Sequence, residues 1–326
     1  MKYFVTGGTG YIGSALVQTL EAEGNDVVVF HRKCSDLSSL EGNRCEKRVG
    51  DLFSVSDLRG GMEGCDGVFH VAGNTSWYRG DRKEVWRSNV DATRAVVEAM
   101  KAAGIKRGVL TSSVSGIGVT GIADRPADEE TGHNWPSHFH YPQSKKAAEK
   151  IWFEPASSLE MISVNPATIM GPGDREMKVG EIFRKIGKGK FPRFLCGGIS
   201  VCDVRDVARG HLLAFEKGRP GGRYILGAEN IENGPLGDQI ARAMDAPPPK
   251  KEFGPGMIGL FMRIAGGVEF FGGRLEIAAG HLWCLLRYVY HDTTKARKEL
   301  GFAPRPFEET LRDSVEWYRS HGLLDS

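Results

Sequence analysis

Short runs of β-branched and aromatic residues alternate with longer amphipathic stretches over the first two thirds of the chain. The runs predict strands at 2–7, 26–32, 67–73, 107–113 and 161–168. The stretches between them carry apolar residues at helical spacing and predict helices at 11–23, 89–104 and 142–154. An uninterrupted apolar strand such as 27–30 is typical of a sheet buried on both faces. The pattern therefore predicts an α/β fold, with a doubly wound parallel sheet and right-handed crossovers.

The alternation becomes less regular after residues 171–174. A helix is predicted at 204–218, a short strand at 222–227 and an amphipathic helix at 306–322. Prolines predict a loop at 246–256, because proline cannot continue a helix or a strand ladder. We predict a sheet domain at 1–169, with elements near 199–228 returning to it. Residues 170–326 are predicted to form mainly a smaller C-terminal subdomain.

The charge and the cysteines exclude several classes of protein. The formal net charge of the 326 residues is +2, so no basic field favours a nucleic-acid partner. The six cysteines form no CxxC and no zinc-ligand spacing, which indicates a reduced, cytoplasmic protein without a metal. The first strand starts at once, without a signal peptide, and charged residues interrupt the apolar region at 256–290. No membrane span is therefore expected.

A glycine-rich turn connects the first predicted strand to the first helix. Gly8-x-Gly10-x-x-Gly13 is a GxGxxG, and a second strand arrives about 20 residues later, which is the dinucleotide-binding arrangement. The glycines allow a tight turn and close approach of a pyrophosphate to the helix N-terminus. The domain at 1–169 is accordingly predicted to bind NAD(P). The residues predicted to contact the cofactor here are Gly7, Gly10, Tyr11, Ile12 and Gly13.

The end of the second strand should select the cofactor. An acidic residue there would accept hydrogen bonds from the adenosine ribose of NAD, whereas Arg32 and Lys33 stand at this point. A guanidinium can pair with a ribose 2′-phosphate, so NADP is the predicted cofactor. Two alternatives stay open: Asp36 permits NAD, or Arg32 and Lys33 are only solvated cations.

Several stretches in this order resemble the extended short-chain dehydrogenase/reductase superfamily. They are TGGTGYIG, GDL, VFHVAG, NVDATR, VLTSSVSG, YPQSK, NPATIMGPGD and DVRDVARGHLLAFE. The chain most resembles the dihydroflavonol-reductase-like branch of the NAD-dependent epimerase/dehydratases, and 230–290 is its least typical part. The resemblance implies cofactor contacts from a further set of residues: Asp51, Leu52, Val71, Ala72, Gly73, Pro166 and Ile169.

A Tyr-x-x-x-Lys motif carries the predicted chemistry. Tyr141 and Lys145 are one helical turn apart, and a nearby ammonium should lower the pKa of the phenol toward neutral pH. The phenol can then exchange a proton with a substrate oxygen. The resemblance implies that Lys145 also binds the nicotinamide ribose and that Ser113 orients the substrate oxygen. Ser112 is the alternative to Ser113, because one residue along a strand changes the face.

The resemblance implies one of three reaction types that share this scaffold: carbonyl reduction, epimerisation or dehydration. Dehydratases of the superfamily carry an Asp-Glu pair after the motif serine, where this chain has Val114, Ser115 and Gly116, so dehydration is not expected. The late region rich in Phe, Met, Leu and Trp suits an apolar carbonyl substrate, or it is plain core packing. We predict an NADP-dependent oxidoreductase that reduces a ketone or aldehyde. The alternatives are an NAD-dependent nucleotide-sugar epimerase and a non-catalytic NADP-binding redox sensor. The resemblance also implies a homodimer through helices 89–104 and 142–154.

Overall fold

A seven-stranded parallel sheet forms the centre of the structure, a computed structural model that describes residues 1–155 and 158–324. The described strands are β1 (Lys2–Thr6), β2 (Asp26–His31), β3 (Glu46–Val49), β4 (Gly67–His70), β5 (Arg107–Thr111), β6 (Glu160–Pro166), β7 (Thr168–Met170), β8 (Arg193–Phe194), β9 (Gly198–Asp203), β10 (Arg223–Leu226), β11 (Glu229–Glu232), β12 (Glu252–Phe253) and β13 (Tyr288–Val289). The central sheet has the order β10-β6-β5-β4-β1-β2-β3. The predicted Rossmann-type fold is confirmed, with the order reversing between β1 and β4.

Helices cover both faces of this sheet. The described α-helices of the whole chain are α1 (Tyr11–Ala22), α2 (Val55–Met62), α3 (Arg82–Trp86), α4 (Ala92–Ala103), α5 (His140–Phe153), α6 (Gly180–Gly187), α7 (Val204–Lys217), α8 (Asn233–Ala243), α9 (Pro255–Phe270), α10 (Ala279–Leu285) and α11 (Phe307–Ser320). On one face Leu16 of α1 and Leu212 of α7 are buried in a common core. On the other face Val96 of α4 and Trp152 of α5 are buried in a second core. Both faces of the sheet are thus buried from solvent, which explains why its strands are continuously apolar.

A second, smaller sheet lies beyond the central one. Strand β9 pairs with β7, β11 and β13, and the apolar residues around it form a separate core with α6, α8 and α11. Helix α7 and strand β10 return to the central sheet as expected, whereas Gly198–Asp203, from the same predicted stretch, belongs to the second sheet. The division at 169 and 170 stays a prediction, and the last two residues of 170–326 lie outside the described part.

Elements that the sequence pattern did not show have weak periodicity. All four residues of β3, Glu46–Val49, are exposed, so no apolar alternation marks this edge strand. Helix α9 contains four glycines among its 16 residues and is apolar nearly all round, which hides its helical face. The predicted loop at 246–256 is wrong at its end, because β12 and the first turn of α9 lie there. Proline at the first helical position is compatible with a helix, and only an interior proline breaks one.

Candidate active site

In the glycine turn, Gly7 and Gly13 are tightly packed against the backbone, whereas the space around Gly10 is open. Gly7 has a φ of +72°, and a Cβ on it would lie 2.5 Å from the backbone nitrogen of Ala72. A Cβ on Gly13 would lie 2.0 Å from the carbonyl oxygen of Gly7, so helix and turn are in contact there. A Cβ on Gly10 would meet only that same oxygen, at 3.4 Å. The structure therefore leaves a cradle over Gly10 that a bulky group can enter.

The cradle opens onto the N-terminus of α1. Gly10 is the N-cap and provides no side-chain hydrogen bond, and the first turn of α1 contains no acidic residue. The amide groups of this turn and the positive end of the helix dipole favour a phosphate. Tyr11 fixes the turn from outside, because its hydroxyl donates a hydrogen bond to the carbonyl oxygen of Gly171, 2.7 Å away. The residues present fit a dinucleotide pyrophosphate.

The other predicted cofactor residues follow the carboxyl ends of neighbouring parallel strands. They are Arg32 and Lys33 after β2, Asp51 and Leu52 after β3, Val71, Ala72 and Gly73 after β4, and Pro166 at the end of β6. Ile12 and Ile169 are half-buried and pack against the core. Because adjacent strand ends meet at one edge of the sheet, this arrangement forms one continuous groove at the switch point. The structure brings these residues together, and their contacts with a cofactor stay predictions.

The segment that follows β2 carries positive charge. Arg32 and Lys33 are both exposed immediately after β2. Asp36 is occupied nearby: its two carboxylate oxygens accept hydrogen bonds from the backbone nitrogen of Ser38, at 2.9 Å, and from its hydroxyl, at 2.8 Å. These hydrogen bonds lower the pKa of Asp36. Asp36 is thus a local loop-bonding residue, and the cations are the groups available to a phosphate.

Tyr141 lies in the first turn of α5, buried to all but 7% of its surface. Burial raises the pKa of its phenol, and a hydrogen bond with the Ser113 side chain acts against this rise. Desolvation is the largest influence on this pKa, and the Lys145 ammonium lies 6.0 Å from the ring centre, so the lowering expected from Lys145 stays a prediction. The phenol is therefore held in its protonated form, which is the form that donates a proton.

Ser113 and Ser112 have different surroundings. The Ser113 side chain lowers the pKa of Tyr141, and its hydroxyl accepts a hydrogen bond from the backbone nitrogen of Ser115, at 3.1 Å. The Ser112 hydroxyl lies on the other side, 3.0 Å from the position of a Cβ on Gly116, and is buried without a hydrogen-bond partner. Of the two serines, Ser113 is thus the one that influences the pKa of Tyr141, and its role toward a substrate oxygen stays a prediction.

Lys145 is a buried cation held between the strand ends. Its ammonium donates to the carbonyl oxygen of Thr111 at 3.0 Å and lies 3.4 Å from the position of a Cβ on Gly73. Burial lowers its pKa to about 8, and the carboxylate of Glu149, one turn further along α5, acts in the opposite direction. The lysine thus lies beside the end of β4, and its contact with a ribose stays a prediction.

Sequence reasoning missed the polar network behind Lys145. The Asn165 side-chain amide donates to the Ser113 carbonyl oxygen at 2.9 Å and to the Glu149 carboxylate at 2.6 Å, and all three residues are buried. The guanidinium of Arg223 lies 3.6 Å from the same carboxylate. The signal was Glu149 itself: an acid four residues after Lys145 lies on the same helix face, which is turned inward.

Asn89 connects the end of β4 to α5. Its side-chain oxygen accepts from the backbone nitrogen of Asn74 at 2.7 Å, and its amide donates to the Asn74 carbonyl and to the Ser144 hydroxyl, both at 2.9 Å. It lies in a π-helical turn, Arg87–Asp91, directly before α4. This clamp holds the cofactor-side loop against the helix that carries Tyr141 and Lys145.

His70 is a packed residue. Its ring nitrogens hydrogen-bond the hydroxyls of Thr6 at 2.7 Å and Thr93 at 3.1 Å. Burial lowers its pKa to about 3, so it is neutral, as expected for a histidine inside a strand.

A cluster of aromatic rings, the aromatic wall, packs on Tyr141 through Trp77. We use this name for Trp77, Trp135, Phe139, His281 and Trp283. The Trp77 ring centre lies 5.5 Å from that of Tyr141, 5.7 Å from Trp135 and 5.3 Å from His281. Trp283 packs on Trp135 at 5.1 Å and on Phe139 at 5.9 Å. The members come from three distant segments of the chain, which no local sequence pattern connects.

A cavity of about 230 Å³ adjoins this wall. Its lining combines members of the aromatic wall, residues of α9 and α10, and the polar side chains of Arg79 and His138. The full set is Arg79, His138, Phe139, Met262, Gly266, Glu269, Ala279 and Trp283. A lining of this kind suits a small ligand with an apolar body.

The described ranges, 1–155 and 158–324, show neither a metal site nor a membrane-spanning helix. They contain no group of three His, Cys, Asp or Glu residues placed to hold a metal ion. They also contain no helix that is both long enough and apolar enough to cross a membrane.

Comparison with known proteins agrees with this geometry. The family model of the NAD dependent epimerase/dehydratase family matches residues 3–227. The chain is 35% identical over 329 residues to "Putative dihydroflavonol 4-reductase" of Synechocystis sp., covering 99% of this chain and 96% of the relative. It is 31% identical over 333 residues to sterol demethylase protein B of Methylococcus capsulatus, covering 99% and 100%.

Solved structures show the same architecture over the whole chain. The crystal structure of gox2253 has a TM-score of 0.86 and 31% identity, covering 99% of both chains. That of PA4631, a nucleoside-diphosphate-sugar epimerase from Pseudomonas aeruginosa, has a TM-score of 0.81 and 26% identity, also covering 99% of both chains. The resemblance seen in the sequence motifs is confirmed. The chain belongs to the NAD dependent epimerase/dehydratase family and is an NAD(P)-dependent enzyme of the extended short-chain dehydrogenase/reductase type.

Proposed function

We propose that this enzyme uses NADP to reduce the carbonyl group of a fairly apolar small molecule. The observation that carries the proposal is the aromatic wall packed directly on Tyr141, with Trp77 at 5.5 Å between ring centres. A substrate whose carbonyl reaches Tyr141 must place the rest of its body against aromatic rings. Such a surface favours apolar or aromatic groups over a strongly hydrated sugar diphosphate.

Tyr141 acts as the general acid in this proposal. The nicotinamide, when bound, supplies the hydride to the carbonyl carbon, and the oxygen then needs one proton. Tyr141 donates that proton from its hydroxyl, which burial keeps protonated in the ground state. Ser113 donates a hydrogen bond to the same oxygen and holds it at the phenol.

Lys145 supports the phenol at the moment when it loses its proton. A cation near the developing phenolate favours the charged form, although the ammonium is too distant to dominate the ground-state pKa. The same ammonium faces the groove beside Gly73, where it can donate to a ribose hydroxyl. The Lys145 side chain is held in this orientation by its hydrogen bond to the Thr111 carbonyl oxygen, and the negative charge of Glu149 favours its charged form.

The choice of NADP rests on the free cations after β2. Arg32 and Lys33 are exposed there, and Asp36 uses both carboxylate oxygens on Ser38. A guanidinium can form a bidentate, charge-assisted pair with the ribose 2′-phosphate of NADP, and NAD lacks this phosphate. Quenching of tryptophan fluorescence measures the dissociation constants of NADPH and NADH. We expect NADPH to bind about tenfold more tightly or better, a difference of about 1.4 kcal/mol.

Two variants make this test specific. Arg32→Ala should remove most of the NADPH preference while leaving NADH binding unchanged. Lys106→Ala removes an exposed cation elsewhere on the surface and serves as the control. Equal affinities of the unchanged protein for the two cofactors would show that Arg32 and Lys33 are only solvated, and the NADP assignment would then be wrong.

Turnover is tested with a panel of aryl and alicyclic ketones and aldehydes. We expect NADPH consumption with at least one of them, its loss in Tyr141→Phe, and unchanged NADPH binding in that variant. Turnover that survives Tyr141→Phe would refute the assigned acid.

Nucleotide-sugar epimerisation is the second candidate, favoured by the 26% identity with the epimerase PA4631 over nearly the full chain. In that reaction Tyr141 would act first as a base, and no cofactor would be consumed. Conversion of a nucleotide sugar to its epimer without net NAD(P)H change, in a protein that retains NAD, would replace the reductase proposal.

A further inference from the structure

Exposed apolar side chains are concentrated on α9 and the segment that follows it. Within the described residues, thirteen large hydrophobic side chains are exposed, and eight of them lie between residues 257 and 277. These eight are Met257, Leu260, Phe261, Ile264, Phe270, Phe271, Leu275 and Ile277, which we call the apolar ridge. Isolated exposed apolar residues are ordinary, but a contiguous set indicates an interaction surface.

Helix α9 has two distinct faces. Ile258, Ala265 and Glu269 are buried against the protein, at spacings that keep them along one side of the helix. Residues 257, 260, 261 and 264 lie on the opposite side and are exposed. The helix is therefore already packed on the body of the protein, and the ridge is its unpartnered side.

The strongest exposure lies where the helix ends. Phe271 is 87% exposed and Phe270 63%, with their ring centres 5.3 Å apart. Two neighbouring phenyl rings at the end of a helix form a protruding apolar tip. Aromatic rings in this position are typical of segments that insert shallowly at a membrane interface.

Positive charge accompanies the ridge. Lys250, Lys251 and Arg263 are exposed, and within the described residues none of them makes an ion pair. The acidic groups of the same stretch are engaged elsewhere. Glu252 lies 3.9 Å from Arg193, and Glu269 is buried, where it accepts a hydrogen bond from the backbone nitrogen of Ala279 at 2.8 Å.

The remaining acid of the stretch, Glu276, pairs with Lys185. The charge left free beside the apolar residues is thus positive. This combination is complementary to anionic lipid headgroups above an acyl layer.

A second copy of the chain fits the ridge less well. Arg263 lies in the middle of the helix face, between Leu260 and Ile264 in sequence. In an isologous contact the same patch faces itself, so the free cations of one copy would meet those of the other. Like charges opposed across an interface disfavour association.

We propose that the apolar ridge docks this protein in the plane of an anionic lipid bilayer, with α9 lying on the surface. The proposal concerns binding alone and does not depend on the reductase assignment. The position of the ridge adds a consequence for function. Met262, Gly266 and Glu269 of the same helix line the cavity beside the aromatic wall, so the docked helix would also form one wall of that cavity.

Flotation with lipid vesicles tests this. The full-length protein is mixed with vesicles of phosphatidylcholine alone, or with phosphatidylglycerol added, and centrifuged through a density gradient at low and high salt. We expect flotation with the anionic vesicles, about tenfold weaker binding to the neutral ones, and weakening by salt. Absence of flotation with anionic vesicles at low salt would overturn the proposal.

Matched variants locate the contact. Phe271→Glu should lower binding about tenfold or more, because it replaces the most exposed ring of the tip with a charge that anionic lipid repels. Leu260→Gln tests the other end of the ridge. Ile122→Glu changes an exposed apolar residue elsewhere and should bind like the unchanged protein. Unfolding temperature and NADPH binding, measured for each variant, separate loss of docking from loss of fold.

Two results would refute the assignment. The first is equal flotation of Phe271→Glu and the unchanged protein. The second is a dimer, seen by light scattering, that Phe271→Glu converts to a monomer, because the ridge would then be covered by a second copy. A protein that floats as expected but shows no reductase activity would leave the docking surface standing and refute only the proposed function.

Discussion

Lowering the pH from about 7 to about 5.5 should destabilise this protein through three histidines that are buried as neutral rings. Burial lowers the pKa of His70 to about 3, and those of His211 and His291 to about 4, from an ordinary value of 6.5. The structure shows why His211 stays neutral. Its Nδ1 donates to the Val207 carbonyl oxygen at 2.7 Å, which leaves Nε2 to accept from the Thr111 hydroxyl, also at 2.7 Å.

The sign follows from which state binds the proton. Below pH 6.5 the unfolded histidines take up protons that the folded ones do not, so stability falls with pH until the folded pKa values are reached. Between pH 7 and 5.5 each histidine should cost about 1 kcal/mol of unfolding free energy, and the three together about 3–4 kcal/mol. That sum is a large part of the roughly 5–15 kcal/mol of a typical domain.

Urea denaturation at several pH values measures this effect. The unfolding free energy should fall by about 3–4 kcal/mol at constant denaturant slope, and His211→Gln should remove about a third of the fall. Burial raises the pKa of Glu129, so its protonation in the folded state increases the unfolding free energy as the pH falls, opposite to the effect of the histidines. Measurements above pH 5.5 limit this contribution from carboxyl groups. A flat stability between pH 7 and 5.5, or folded-state histidine signals that titrate near 6.5 in NMR spectra, would refute the reasoning.

Three further substitutions have definite expected outcomes. Gly13→Ala places a Cβ 2.0 Å from a backbone oxygen and should abolish cofactor binding in a fluorescence titration, whereas Gly60→Ala, with no atom within 4 Å, should not change it; retained affinity would mean that the turn can open. Glu149→Gln removes the carboxylate that keeps Lys145 charged, so the pKa of the lysine should fall below about 8 and the alkaline limb of the activity profile should move to lower pH; an unchanged limb would assign it to another group. Gly280→Ala brings a Cβ to 2.3 Å from an indole carbon of the aromatic wall and should destabilise the protein by about 1–3 kcal/mol in thermal unfolding; a neutral effect would show that the wall is loosely packed.

The local part of the active site could be predicted from the sequence because its information is local. A strand, a glycine turn and a helix are consecutive in the chain, and their spacing alone fixes the Gly10 cradle at the N-terminus of α1. Tyr141 and Lys145 are one turn apart on one helix, so their common face follows from helix geometry. The parallel sheet followed from alternating periods in the same way, whereas β3 was missed because its four exposed residues carry no period.

The pKa of Tyr141 shows the limit of this reasoning. The sequence gives the neighbouring charge, but the desolvation that outweighs it depends on every segment packed around the ring, Trp77 included. The same holds for Asn165, whose amide joins Ser113 to Glu149 across two elements. Such contacts have no signature along the chain.

The fold class, the dinucleotide turn and the Tyr-x-x-x-Lys helix could therefore be predicted from the chain alone, because each depends on residues close in sequence. The packing of the folded chain was needed to show that Ser112 is buried without a hydrogen-bond partner and that rings from residues 77, 135, 139, 281 and 283 meet in one wall. It alone also decided which side of α9 is buried and which is left as an apolar ridge. The physical reason is that burial and desolvation are properties of the whole packed chain, whereas periodicity and turn chemistry are properties of its segments.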